Sequence, residues 1–131
     1  MKKVIFVSLL MAFAALTVFA EGIAVLQPAG GEVWAIGSTQ VIQWKFASEG
    51  SAQPVNIMLF KDGVPVGKIA QNVSCDLSGT GSFKWQVGTL LQKRELVLES
   101  QKVVQPGKGY IIGVKVANTL INGESLAFVI Q

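Results

Sequence analysis

The chain has no histidine and a single cysteine, Cys75, in 131 residues. Without histidine there can be no Ser-His-Asp or Cys-His relay and no imidazole-ligated metal centre, because no other side chain has an ordinary pKa near neutrality. One cysteine cannot form an intramolecular disulfide or a thiolate-clustered zinc site, each of which needs at least two sulfurs. Base rates of burial place Cys75 inside. Charged residues are also few, at 15% of the chain. The carboxylates, Glu32, Asp62 and Asp76 among them, are scattered through loop-like stretches. No pair has glycosidase spacing, and no Asp/Asn cluster suggests calcium. The sequence therefore argues against an enzyme and implies neither a metal nor another cofactor. Non-covalent binding is the class of function left.

Apolar residues are what the chain has in abundance, at 50%. Many lie in the opening MKKVIFVSLLMAFAALTVFA, where Lys2 and Lys3 precede an apolar run that ends in Val18-Phe19-Ala20. That is the layout of a cleaved secretory signal, shorter than the ~20 residues of a comfortable membrane span. The expectation is a signal peptide over 1–20, a single domain over 21–131, and no integral membrane segment after cleavage. Residues 21–131 carry nine basic and eight acidic groups, with Lys93-Arg94 as the only adjacent basic pair. Nucleic acid is a poor partner for such a surface.

The mature part alternates with period two in short runs separated by Gly, Pro, Asn, Asp and Ser, which predicts an all-β sandwich. Strands are expected at Ile23–Gln27, Val33–Ile36, Thr39–Phe46, Val55–Lys61, Val64–Ala70, Ser82–Val87, Tyr110–Val116 and Ser125–Ile130. Asp62-Gly63 supplies a two-residue hairpin turn, and Pro65 assigns the return strand to an edge. Residues 88–105 stay open. Thr89 and Gln92 have capping-box spacing for a short helix, whereas Glu95 to Glu99 alternates like a strand.

Several residues form an ordered pattern: Pro28-Ala29-Gly30-Gly31-Glu32-Val33-Trp34, Ile42-Gln43-Trp44, Gly81-Ser82-Phe83-Lys84-Trp85, Pro106-Gly107-Lys108-Gly109-Tyr110 and Ser125-Leu126-Ala127-Phe128-Val129-Ile130. This pattern resembles the Ser/Thr-rich, Kre/Knh-like domain of fungal cell-wall glucan-assembly proteins, which also occurs in secreted bacterial proteins. The resemblance implies an immunoglobulin-like sandwich, extracellular or at the cell surface; taken with the alternation and the signal segment, the expectation is an immunoglobulin-like or fibronectin III-like sandwich of about seven antiparallel strands, secreted or kept in the cell envelope, the periplasm in a Gram-negative cell. The resemblance also implies association with wall or surface polysaccharide, and no catalysis. The segment between Trp85 and Tyr110 is longer than the family pattern, and the expected analogy is a small secreted bacterial member without the Ser/Thr-rich tail of the fungal ones.

The inward set expected from alternation is Ile42, Trp44, Val55, Ile57, Phe83, Trp85, Tyr110, Ile112, Val114, Val116, Leu126, Phe128 and Ile130. Trp44 and Trp85 are read as core, and Tyr110 as a corner residue whose hydroxyl bonds nearby backbone. Trp34, beside a Gly-rich turn, is read either as a cap over the core edge or as a flat face for a sugar ring. Met58, Phe60, Ile111, Ala127 and Val129 fall on the opposite face and predict an apolar patch. Its expected occupant is an envelope protein, a second copy, or residues 88–105.

Overall fold

A computed structural model describes residues 22–47, 53–76, 78–91 and 104–131. Strand formation follows the alternation. In Thr39–Phe46, the side chains of Ile42, Trp44 and Phe46 are buried while Val41 and Lys45 on the other face are exposed. Nine strands occur among the described residues: β1 (Ile23–Gln27), β2 (Val33–Trp34), β3 (Thr39–Phe46), β4 (Val55–Lys61), β5 (Val64–Val73), β6 (Thr80–Gln86), β7 (Gly107–Val116), β8 (Asn122–Glu124) and β9 (Phe128–Ile130).

They form two sheets. One has three antiparallel strands in the order β1-β3-β6. The other has six, in the order β2-β9-β7-β4-β5, with β8 beside β7. All its pairs are antiparallel except β2 with β9. The fold is an immunoglobulin-like, fibronectin III-like sandwich. The nine strands reduce to seven, because the first is divided into β1 and β2 and the last into β8 and β9.

The first division carries the chain from one sheet to the other. After Gln27 the segment Pro28–Glu32 turns, and its geometry is fixed by the Glu32 carboxylate, which accepts the backbone N–H groups of Ala29 at 2.6 Å and Gly30 at 2.7 Å. The second division has a local cause in Ser125, which is buried. Its hydroxyl accepts the N–H of Ile112 at 2.9 Å and donates to the carbonyl of Leu126 at 2.9 Å. A side chain thus takes a place in the ladder that backbone would otherwise fill. The parity of the strand shifts there, so Leu126, expected in the core, is instead 70% exposed.

Other boundaries also differ from expectation. β2 stops at Trp34, β5 runs on to Val73, and β6 and β7 each begin a few residues early. The hairpin turn is as expected, with φ of 51° at Asp62 and 82° at Gly63, the two positive values a primed turn requires. β5 is the outermost strand of its sheet, where a proline costs no ladder bond. Thr89 starts no helix: both its N–H and its hydroxyl donate to the carbonyl of Gln86, closing the turn after β6. Leu91 then donates its N–H to Lys68 on β5 at 2.8 Å. The rest of the expected helix or strand, 92–103, lies outside the described residues, as does the expected signal segment 1–20. No helix among the described residues is long and apolar enough to cross a membrane.

The core lies between the sheets. Ile42, Trp44, Phe46 and Trp85 of the smaller sheet meet Val55, Ile57, Leu59, Tyr110, Ile112, Val114, Val116, Phe128 and Ile130 of the larger. Each large apolar side chain buried there contributes about 1.5–3 kcal/mol relative to exposure. Phe83 is only partly buried and packs against this cluster from its margin. The start of β1 closes the sandwich over β8: the Ile23 carbonyl occupies the space a Cβ would take on Gly123, so only glycine fits there.

Candidate functional site

The three tryptophans are all inside. Trp44 and Trp85 are 0% and 1% exposed, and Trp34 is 6% exposed. Trp34 stands edge-on to Trp85, with ring centroids 6.3 Å apart, and 5.0 Å from the ring of Phe128. Its alternative as a sugar-stacking face is corrected by this placement, since a buried indole has no free face to offer. The reason lies in β2. Its parallel pairing with β9 sets Trp34 opposite Ile130, an inward position, and turns the neighbouring Val33 out.

Tyr110, also buried, donates its hydroxyl to the carbonyl of Gln105, five residues upstream, and so pins the turn that leads into β7. Lys61 covers the ring. Its Nζ stands 5.2 Å from the ring centroid and donates to the carbonyl of Lys108 at 2.8 Å. Cys75 is half-buried rather than buried, because it lies in the loop after β5 at one end of the sandwich. Its Sγ accepts the indole N–H of Trp44 at 3.2 Å, which gives the buried ring nitrogen its partner.

The outer faces of the two sheets differ in character. On the smaller sheet the outward residues of β3 and β6 pair as Thr39 with Gln86, Val41 with Lys84, Gln43 with Ser82 and Lys45 with Thr80, a polar surface with one valine. On the larger sheet the outward positions of β7 are Ile111, Gly113 and Lys115, alternating with buried Tyr110, Ile112, Val114 and Val116. Register then fixes their neighbours. Ile111 lies beside Phe60, Gly113 between Met58 and Glu124, and Lys115 between Asn56 and Asn122. Across β4, Met58 pairs with Lys68 and Phe60 with Pro65. At the other edge Val33 pairs with Val129.

The centre of this face is therefore apolar, with Met58, Phe60, Ile111 and Val129 half-buried and Val33 more than half exposed. The Phe60 ring leans over Gly113, where a Cβ would come within 2.9 Å of it, so glycine leaves the room the ring occupies. Met58, Phe60 and Ile111, singled out from the sequence, are thus brought together, and Trp34 lies away from them on the inner side of the sheet. Sequence reasoning missed Val33, Lys68 and Glu124. For Val33 the signal was its alternation with Trp34. Glu124 sits in a strand of three residues that reads as loop.

Two carboxylates are tuned by local geometry. Partial burial pushes Glu32 up, but the N–H groups of Ala29, Gly30 and Glu32 itself outweigh it and hold the carboxyl below its usual range. The Ser78 hydroxyl, together with the N–H groups of Thr80, Ser78 and Gly79, holds Asp76 low. Both close turns. Among the described residues no three of His, Cys, Asp or Glu come together as metal ligands would.

No family model matches the chain, and no curated protein matches it. Among solved structures it is similar to the fibronectin(III)-like modules of Clostridium thermocellum CbhA, with 11% identity and a TM-score of 0.40. The match covers 83% of this chain and 45% of that one, so the chain spans less than half the length of that structure. At this level the likeness adds nothing to the fold drawn from strand order.

Proposed function

We propose that the chain is an exported, non-catalytic interaction module of the cell envelope, which holds a protein partner through the outer face of its larger sheet. The observation that carries the reading is the cluster of Met58 and Phe60 on β4 with Ile111 on β7, half-buried and apolar at positions where a solvated antiparallel face alternates to polar. Every described strand belongs to one of the two sheets, so none of them is a third layer packed across this cluster. Contiguous apolar surface of this kind, rimmed here by Asn56, Lys68, Lys115 and Glu124, is typical of protein contact sites. Export is supported by the layout of residues 1–20.

Polysaccharide recognition, favoured by the family resemblance, loses the side chains that suggested it, because all three indoles are buried. Co-sedimentation with envelope material before and after protease stripping separates the two. Binding that disappears on stripping, and also with Phe60→Ser, supports a protein partner. Binding that survives stripping assigns a glycan and overturns the protein reading, and no binding in either case overturns the envelope role.

A further inference from the structure

We propose that the partner seated on this face is a second copy of the chain, packed face to face about a two-fold axis lying along the strands between β7 and β4. The inference rests on the reading of that face as a protein-contact surface and goes beyond it by naming the occupant.

Its basis is the order of residues across the sheet. Glu124 on β8, Gly113 on β7, Met58 on β4 and Lys68 on β5 form one row of four adjacent strands. The row is acidic at one end, basic at the other and uncharged in the middle. A two-fold axis in the plane of the interface, passing between Gly113 and Met58, reverses the row. Glu124 of each copy then faces Lys68 of the other, and Gly113 faces Met58.

In the neighbouring rows Ile111 and Phe60 exchange, so apolar meets apolar, while Lys115 and Asn56 exchange, so each cation meets an amide and lies one strand away from the other copy's Lys115, a repulsion that the two Glu124–Lys68 pairs outweigh. A single surface supplies both halves of the contact, which is what an isologous dimer requires. An unrelated protein partner would place no such demand on the order of charges.

The distances are compatible. Packed sheets lie about 10 Å apart, a gap that an extended lysine and an extended glutamate together span. The end groups stand about 7 Å from the axis, so a crossing of about 30° between the sheets moves them by about 4 Å, within the reach of flexible side chains. Glu124 is exposed and Lys68 partly so, and the ammonium of Lys68 is held at 3.0 Å from the side-chain oxygen of Gln71, an uncharged acceptor.

The test is light scattering coupled to size exclusion, on protein purified from cells expressing the full chain, over about 1–100 µM at low salt. The expected result is a mass that rises from monomer to dimer with concentration. Glu124→Lys and Lys68→Glu should each weaken dimerisation about tenfold or more, because each sets like charges against each other at both ends of the interface. The double variant should recover it. Urea midpoints measured on the same variants separate lost association from lost folding. A monomer at every concentration overturns the proposal, as does a dimer that the double variant weakens further than either single one. A monomer that still binds envelope protein through Phe60 overturns the second copy while leaving the contact surface in place, and loss of both overturns the two together.

Discussion

Replacing Gly81 by alanine puts one methyl group where the core has no room. Gly81 on β6 lies directly opposite Trp44 on β3, and a Cβ there would collide with Nε1, Cε2 and Cζ2 of the indole. The ring cannot swing away freely, since it is fully buried and its N–H is committed to Cys75. Overpacking of this kind costs about 1–3 kcal/mol. Glycine-to-alanine exchange at an ordinary φ returns about 0.4–1 kcal/mol through the unfolded chain, and a clash with a ring that cannot yield takes the upper part of the overpacking range, about 2–3 kcal/mol, so the net loss should be about 1–2.5 kcal/mol. Urea unfolding followed by circular dichroism should show the midpoint falling by roughly 0.5–1 M at an unchanged slope. The decisive version is a double-mutant cycle with Trp44→Phe, which withdraws the indole nitrogen and the far side of the ring. In that background Gly81→Ala should cost at least about 1 kcal/mol less. Equal cost in both backgrounds would refute the packing assigned to this pair.

Three further outcomes follow from the geometry. Tyr110→Phe removes the hydroxyl bound to the Gln105 carbonyl and should lower stability by about 1–2 kcal/mol in the same urea assay, with the fold retained. Trp34→Ala should cost about 3–5 kcal/mol, as expected for a core aromatic, whereas an unchanged midpoint would return Trp34 to a surface role. Acid should destabilise the protein in part through Glu32. Its carboxyl is held below the usual glutamate range, so its contribution is complete above that range and is lost as pH falls through the depressed folded pKa. Thermal scans from pH 6 to pH 2.5 should therefore show a flatter acid limb for Glu32→Gln than for the parent, and matching limbs would contradict this.

Most strands were legible because burial on one side imposes period two, as in Ile42, Trp44 and Phe46 or in Val55, Ile57 and Leu59. Pro65 and Asp62-Gly63 were legible for a different reason, since each restricts the backbone directly. The sheet to which a short segment belongs was not legible. Val33–Trp34 joins β9 only because the chain crosses between sheets after Gln27, and that tertiary choice turned Trp34 inward. Leu126 was misplaced by one hydroxyl, because a buried Ser125 breaks a strand that its apolar pattern describes as continuous. Cys75 was placed by base rate, and its loop leaves it half-buried. Of the face, its apolar middle could be read from alternation along β4 and β7. Its charged ends could not, because they depend on the register of β5 and β8 against those strands.

The central claim, that the outer face of the larger sheet is the contact surface, is tested most directly by methyl NMR of the protein as its own concentration rises and as solubilised envelope protein is added. The methyl groups of Met58, Ile111 and Val129 should shift or broaden, while those of Val41 on the opposite outer face stay fixed. Shifts confined to Val41 and its neighbours, or no shifts under either condition, would contradict the account.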